Sequence, residues 1–303
     1  MDKDKIEECV YLIGRPPISE FLGFIQTQTM DAKNADMGAL TQEWRNANDR
    51  VKEIEITEAG CSDNHLPSPI PTKLKELLEK VKQDEILKRG YSMVPYEFGL
   101  VELDKLIVFQ KYINLAHVGR LKKELGAKPS EEKIFELCMP FNHPVPDFNQ
   151  QQINQNSYDF VSPSNDLRFL GAVSLTKEQI TGYTSDGVVA GVIALFVGYG
   201  SNYLNAISVN NRLILNNGSH RAYTLRDMGV THVPCVIQKV TRGEELELLG
   251  PQIVQTVQLY QANLRPPLLK DFFDPKLRKI IHLSLKARHV QVSYGLNQID
   301  LPT

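Results

Sequence analysis

Apolar residues fall at helical spacing up to about residue 90, and at strand-like and mixed spacing after it. From Ile18 to Ile25, Phe21, Leu22 and Ile25 share one face, and between Ala39 and Ile54 the same spacing links Leu40, Trp44 and Val51. Thr72 to Lys88 places Leu74, Leu77, Leu78 and Val81 on one stripe, with charged residues elsewhere. Each segment predicts a helix, and the proline-rich Cys61–Pro71 stretch between them predicts a loop. From Tyr96 the texture becomes strand and helix in alternation. Gly99–Phe109 alternates like a half-buried strand, and Leu115–Leu125 carries a helical stripe. Pro140–Asp166, rich in Asn, Gln and Pro, has no clear period and predicts a long loop.

The second half is more sharply punctuated. Val188–Gly200 is an apolar run too short and too glycine-rich to span a bilayer, and it predicts a buried strand. Asn202–Asn217 predicts a hairpin turning at Asn210-Asn211, two residues that tolerate positive φ. A helix follows over Ala222–Met228 and is closed by Gly229; Val230–Val240 is then a further buried strand. A last helix starts at Gly250-Pro251 and leads into a tail.

Composition narrows the class. Of 303 residues 42% are hydrophobic and 23% charged, the balance of a chain with a real core. A formal net charge of −2 supplies no global field for nucleic acid. The first residues lack the basic-then-apolar pattern of a secretion signal, and the four cysteines, Cys9, Cys61, Cys138 and Cys235, form no CxxC pair. These features predict a cytoplasmic protein with neither membrane span nor disulfide framework. The Asn217-Gly218-Ser219 sequon is then incidental.

Candidate chemistry concentrates in Asn217-Gly218-Ser219-His220-Arg221, which joins a strand to a helix start. First-turn amides of a helix lack intrahelical acceptors and carry partial positive charge. Glycine lets a phosphate approach the backbone, serine donates through hydroxyl and amide, and arginine grips phosphate oxygens. Histidine donates a hydrogen bond or moves a proton near neutral pH. The structural alternative is that Ser219 caps the helix while His220 and Arg221 lie on its solvated side.

The stretch from Arg212 to Val240, with Val101–Leu125 before it, resembles the ParB/sulfiredoxin-like superfamily: strand, G-x-H-R, helix, then a Val-Pro strand. The matching segments, Val101–Leu125 and Tyr203–Val240, cover under a quarter of the chain. The resemblance implies an α+β fold with a small mixed sheet and flanking helices. Around it stand a mainly helical N-terminal extension (1–92), a core (93–245) with a long insertion at about 130–200, and a helical C-terminal tail (246–303). It also implies a nucleoside triphosphate, ATP or CTP, held by Asn217, Gly218, Ser219, His220, Arg221 and His117, with Ser219 and His220 as candidate catalytic residues and Mg2+ as a candidate companion. Ser219 stands where sulfiredoxins carry their nucleophilic cysteine, which argues against thiol chemistry. His117 stands where they carry a phosphate-contacting lysine. The second arginine of the partitioning proteins is missing, and no helix-turn-helix with a basic recognition helix follows. Asp227 and Glu102 are the acidic candidates by analogy with the superfamily's serine kinases.

Other stretches carry less. Gly198–Asn202 precedes a strand and so is no dinucleotide fingerprint. His143 and Asp147 read as loop residues, and His232 with Cys235 as structural. Arg265–Lys279 mixes arginine, Phe272-Phe273 and lysines, which suits a tail folded over the domain or a protein-docking segment. Two functional classes follow: a nucleotide-dependent kinase or phosphohydrolase, and a nucleotide-gated module engaging a protein or, less readily, DNA.

Overall fold

The computed structural model describes residues 6–301 apart from 185, 262 and 285. Its elements run β1 (Ile6–Leu12), α1 (Ile18–Gln28), α2 (Met37–Thr57), α3 (Lys75–Lys82), α4 (Glu85–Gly90), β2 (Tyr96–Glu102), β3 (Tyr112–Asn114), α5 (Leu115–Leu125) and α6 (Glu131–Cys138). Then follow β4 (Asn149–Asn154), β5 (Ser157–Ser162), β6 (Arg168–Leu175), β7 (Val192–Gly198), β8 (Asn205–Val209), β9 (Arg212–Asn217), α7 (Ser219–Asp227) and β10 (His232–Lys239). The chain ends through α8 (Gly243–Leu249), α9 (Pro251–Gln261), β11 (Arg278–Ser284) and β12 (Arg288–Ser293). The architecture is α+β, with several small sheets, in two compact units. Unit 1 is Met1–Asn142 with Asn202–Leu285, and unit 2 is His143–Ser201 with Lys286–Thr303.

Unit 1 is built on a four-stranded sheet in the order β2-β10-β8-β9. β10 pairs antiparallel with β2 (Val233 opposite Val101) and parallel with β8 (Val236 opposite Asn205). β8 and β9 form the hairpin that the pattern predicts, and Asn210 and Asn211 take φ of 51° and 60° in its turn. Val101, Val233, Cys235, Ala206, Leu213 and Leu215 carry this sheet into the main core.

A second, antiparallel sheet has the order β11-β1-β3. The N-terminal extension is mainly helical but opens with a strand, and the C-terminal tail, expected to be helical, carries β11 and β12 as well as α9. β1 lies in the middle and is covered on both faces. Val10 and Leu12 join the main core, while Cys9, Tyr11 and Ile13 pack with Phe21, Ile25, Leu40 and Ala47 beneath α1 and α2. That explains the unbroken apolar run Cys-Val-Tyr-Leu-Ile, which a strand buried on both faces requires. Its partner β11 is distant in sequence, so local periodicity carries no sign of the pairing.

Three further differences have local causes. The Thr72–Lys88 stripe breaks after Lys82, where Asp84 caps a new helix by accepting from the Ile86 N–H at 2.8 Å. The Gly99–Phe109 strand stops at Glu102, followed by a 3-10 turn over Leu103–Lys105. The unpatterned Pro140–Asp166 stretch contains β4, whose Gln- and Asn-rich faces are solvated and so show no alternation, and the half-buried β5.

Unit 2 comprises a three-stranded antiparallel sheet, β12-β5-β4, and a hairpin of β6 and β7. Val188–Gly200 does contain a strand, β7, but not a buried one: Ile193 is 74% exposed. The Ser162 hydroxyl ties this unit together, donating to the Asp147 carbonyl and accepting from the Tyr199 hydroxyl (2.8 and 2.9 Å).

A buried ion cluster fastens the Arg265–Lys279 segment to the core. Arg265, 1% exposed, makes a two-pronged contact with Asp271, 3% exposed, at 2.9 and 2.6 Å. Its Nε donates to Glu58 at 2.8 Å, where Lys270 also bonds at 2.8 Å. Asp271 further accepts from the Leu268 N–H. Phe272 is fully buried, and Phe273 stacks on Tyr223, with the Arg226 guanidinium carbon 3.9 Å from the Phe273 ring centroid. Phe272, Phe273, Lys270 and Arg278 of this segment are therefore engaged within unit 1. Removing one partner of a buried pair leaves an uncompensated charge, so Asp271→Ala should lower stability by about 3–5 kcal/mol in urea denaturation.

Candidate functional site

Two helix starts meet in unit 1. β3 delivers the chain into α5 through Asn114, and β9 delivers it into α7 through Gly218. Asn114 is the hub. Its Oδ1 accepts from the His117 N–H at 2.9 Å and caps α5, and its Nδ2 donates to the Glu7 carboxylate. Its backbone N–H donates to Nε2 of His220 at 3.0 Å. Gly218 adopts φ of +97° at the start of α7, and no side chain caps that helix. Ser219 is thus the first helical residue and not the cap, contrary to the structural alternative drawn from the sequence.

His220 and His117 sit edge to face, with ring centroids 5.1 Å apart and planes at 85°. Burial, then His117 and the nearby Arg120 and Arg221, push the His220 pKa down to about 4. The ring is neutral at pH 7, and since Nε2 accepts from Asn114, the proton resides on Nδ1. Burial and then Arg120 and Arg221 also lower the His117 pKa. Arg120 Nη2 lies 3.3 Å from His117 Nδ1, and an arginine can only donate, so the His117 proton is on Nε2. Each imidazole keeps one N–H for a ligand. Glu7, from β1, brings a carboxylate to this position. It is held by Asn114 and by Arg120 at 3.9 Å.

Arg221 is placed differently from the sequence expectation. It is 6% exposed, and its Nη1 donates to the carbonyls of Leu137 (3.1 Å) and Asn202 (2.5 Å). Leu137 precedes the point where the chain leaves unit 1, and Asn202 is where it returns. The guanidinium closes that neck, so its charge is turned inward and not offered as a phosphate clamp. Gly218 makes room for it, since a Cβ there would lie 3.1 Å from Arg221 Nη2 and from Leu204 Cγ. Asn217 is likewise engaged through Nδ2 with the Tyr203 carbonyl (3.0 Å).

The remaining sequence candidates fall outside this position. Asp227 ends α7 and pairs with Lys122; eight residues of helix put it about 12 Å along the axis from Ser219. Glu102 pairs with Lys105 at 2.8 Å. Cys138 and Cys235 are fully buried, which raises both thiol pKa values, Cys138 to about 12, and leaves them inert. His232 is exposed at the start of β10, while His143 and Asp147 belong to unit 2. Asn114 and Glu7 were missed. The Asn before a helical stripe is a readable cap signal, whereas Glu7 reaches the site only through a strand pairing that has no local signature.

Among the described residues no group of three or more His, Cys, Asp or Glu side chains is arranged to hold a metal. Glu7 is already held by Asn114 and Arg120. No helix among the described residues is long and apolar enough to cross a membrane. Comparison with known proteins gave no matching family model, no match among curated proteins and none among solved structures.

Two outcomes follow from this geometry. Gly218→Ala forces an L side chain into the left-handed region and against Arg221, so urea denaturation should show a loss of about 1–3 kcal/mol. The depressed histidine gives a pH signature. Below its ordinary pKa of 6.5 the unfolded chain takes up a proton that His220 refuses until about pH 4. His220 therefore adds nothing unfavourable above pH 6.5, and stability falls as pH drops from 6.5 to about 4. His220→Gln should make that part of a stability-against-pH curve less steep, the remaining slope coming from the buried His65 and His117.

Proposed function

We propose that the paired starts of α5 and α7 bind a phosphate group, and that the protein is a nucleotide-binding module of ParB/sulfiredoxin-like type. The carrying observation is the uncapped start of α7 beside two neutral imidazoles, each with an N–H left for a ligand. Helix-start amides and neutral donors favour a multiply charged oxyanion without bringing in a competing base. ATP or CTP in a cytoplasmic setting is the ligand this reading expects, with the phosphates at Ser219, His220 and His117.

Binding is favoured over phosphoryl transfer by the state of His220. A general base needs a free lone pair, and the His220 lone pair on Nε2 already accepts from Asn114. Glu7 is held by Asn114 and Arg120. Ser219 is left as a donor through its hydroxyl and amide. Arg221 supports the reading indirectly, by fixing the first turn of α7 where the ligand would sit. A protein partner responding to the bound nucleotide fits a switch of this kind better than DNA, given the net charge of −2.

Calorimetry with ATP, CTP and inorganic phosphate tests this directly. A phosphate ligand should bind, and His220→Phe should weaken it by about 1.5–3 kcal/mol, the range for hydrogen bonds to a charged group. Phosphate release should stay at background in the same samples. Absence of binding by all three ligands would remove the proposal, and turnover that disappears in Ser219→Ala would replace it with the phosphotransferase reading.

A further inference from the structure

Unit 2 buries little apolar surface and exposes much of it. None of the apolar core clusters draws a residue from this unit, and among the described residues Leu167 is its one buried apolar side chain. Its hairpin of β6 and β7 stands as a sheet of two strands. A two-stranded ribbon is marginal in water, and stability needs three or more strands or a packed face. Yet Phe169, Leu170, Val173, Ile193, Leu195 and Phe196 are each between 39% and 74% exposed. Together they leave roughly 500 Å² of apolar surface open, large for a monomer and more than half of the about 800 Å² that one partner buries in an ordinary interface.

Both faces of the ribbon are apolar. Ala172 and Ser174 stand opposite Leu195 and Ile193, and on the other face Val173 and Leu175 stand opposite Ala194 and Val192. The unbroken run Val-Ile-Ala-Leu-Phe-Val of β7 has the composition of an inner strand with both faces covered. Within one copy it is instead an outer strand.

The two edges of the ribbon differ. β6 begins at Arg168 and is bulged between Phe169 and Gly171, where Gly171 takes φ of +136°. A charge and a bulge are common means of closing an edge to further pairing. β7 has neither: Val192–Gly198 holds no charge, no proline and no extra residue. Among the described residues, the backbone groups on its outer side have no backbone partner.

We propose that β7 pairs with β7 of a second copy of this chain, antiparallel across a two-fold axis, to give a four-stranded sheet in the order β6-β7-β7-β6. Two-fold pairing demands a strand that is complementary to itself, and β7 is. With Leu195, its middle residue, on the axis and opposite its own copy, Ile193 meets the partner's Val197 and Ala194 meets the partner's Phe196. The largest side chain of the strand is set against one of the smallest, and no like charges are brought together. A net charge of −2 per chain opposes the association little. The phosphate-binding reading of unit 1 uses none of these residues.

Sedimentation of the full chain across the micromolar range tests it. The chain should behave as a dimer that dissociates on dilution. Leu195→Lys and Leu195→Glu each place like charges opposite one another on the axis, and each should raise the dissociation constant about tenfold or more. An equal mixture of the two should restore the dimer as the mixed pair, an outcome that a folding defect cannot give. Compared with the unsubstituted chain, Leu195→Cys should gain a cross-link to its own copy on oxidation, since opposed strands bring their Cα atoms to about 5 Å. Ser174→Cys, on the outer strand and more than about 14 Å from its copy, should not. A chain that stays monomeric throughout overturns the proposal. So does a dimer that both charges leave intact, or one that their mixture fails to restore. A monomer that instead sediments with phosphatidylcholine vesicles also overturns it, with lipid as the occupant of the ribbon.

Discussion

The buried guanidinium of Arg221 is the contact on which the rest of unit 1 depends. The chain leaves this unit after α6, forms a separate unit, and returns at Asn202 to make β8. β8 is an inner strand, and β10 pairs beside it, so the sheet assembles only if the returning chain is placed correctly. Arg221 places it by bonding the Leu137 and Asn202 carbonyls together, and the Leu204 N–H adds a bond to the Cys138 carbonyl at 2.7 Å. A charged donor shared between two carbonyls in a dry setting is stronger than neutral pairs would be. The same burial makes it intolerant of a side chain at Gly218. The neck of the insertion and the start of α7 are therefore one construction.

The chain termini meet a comparable constraint. β1 makes its strand hydrogen bonds with β11 and β3 on either side, and the segment leading to β11 is held down by Arg265 and Asp271. Only when β1 is in place does Glu7 reach Asn114. The geometry of the candidate site thus rests on contacts formed by the two ends of unit 1, well away from the sequence motif that draws attention to it.

That dependence explains what was legible in the sequence. The β8–β9 hairpin, the helix after Gly218 and the strand Val-Pro-Cys-Val-Ile are specified by local signals: Asn-Asn at a turn, glycine at a positive φ, and a continuous apolar run. The residue types at the helix start were also visible. Which way each pointed was not. Arg221 reads as a phosphate grip because its chemistry suits one, yet its acceptors are carbonyls of residues remote in sequence. The strands at both ends were hidden for the same reason, since β1 and β11 each acquire their meaning from a distant partner. β4 was hidden differently, because a polar strand exposed on both faces has no hydrophobic period to read.

His65 and His220 show how far one local device reaches. Each ring is buried and neutral, and each accepts at Nε2 from a backbone N–H at a strand terminus, that of Glu102 at the end of β2 and that of Asn114 at the end of β3. A strand's last amide ordinarily bonds a carbonyl or water; here an imidazole satisfies it, and the bond fixes the tautomer. The result is a donor at Nδ1 whose orientation is set by the backbone and not by side-chain packing alone. A charged imidazolium would donate from both nitrogens and would break the bond to the amide, so protonation and this geometry exclude each other. Burial enforces the neutral form and thereby keeps the donor aimed. In this state neither ring has a lone pair left with which to take up a proton.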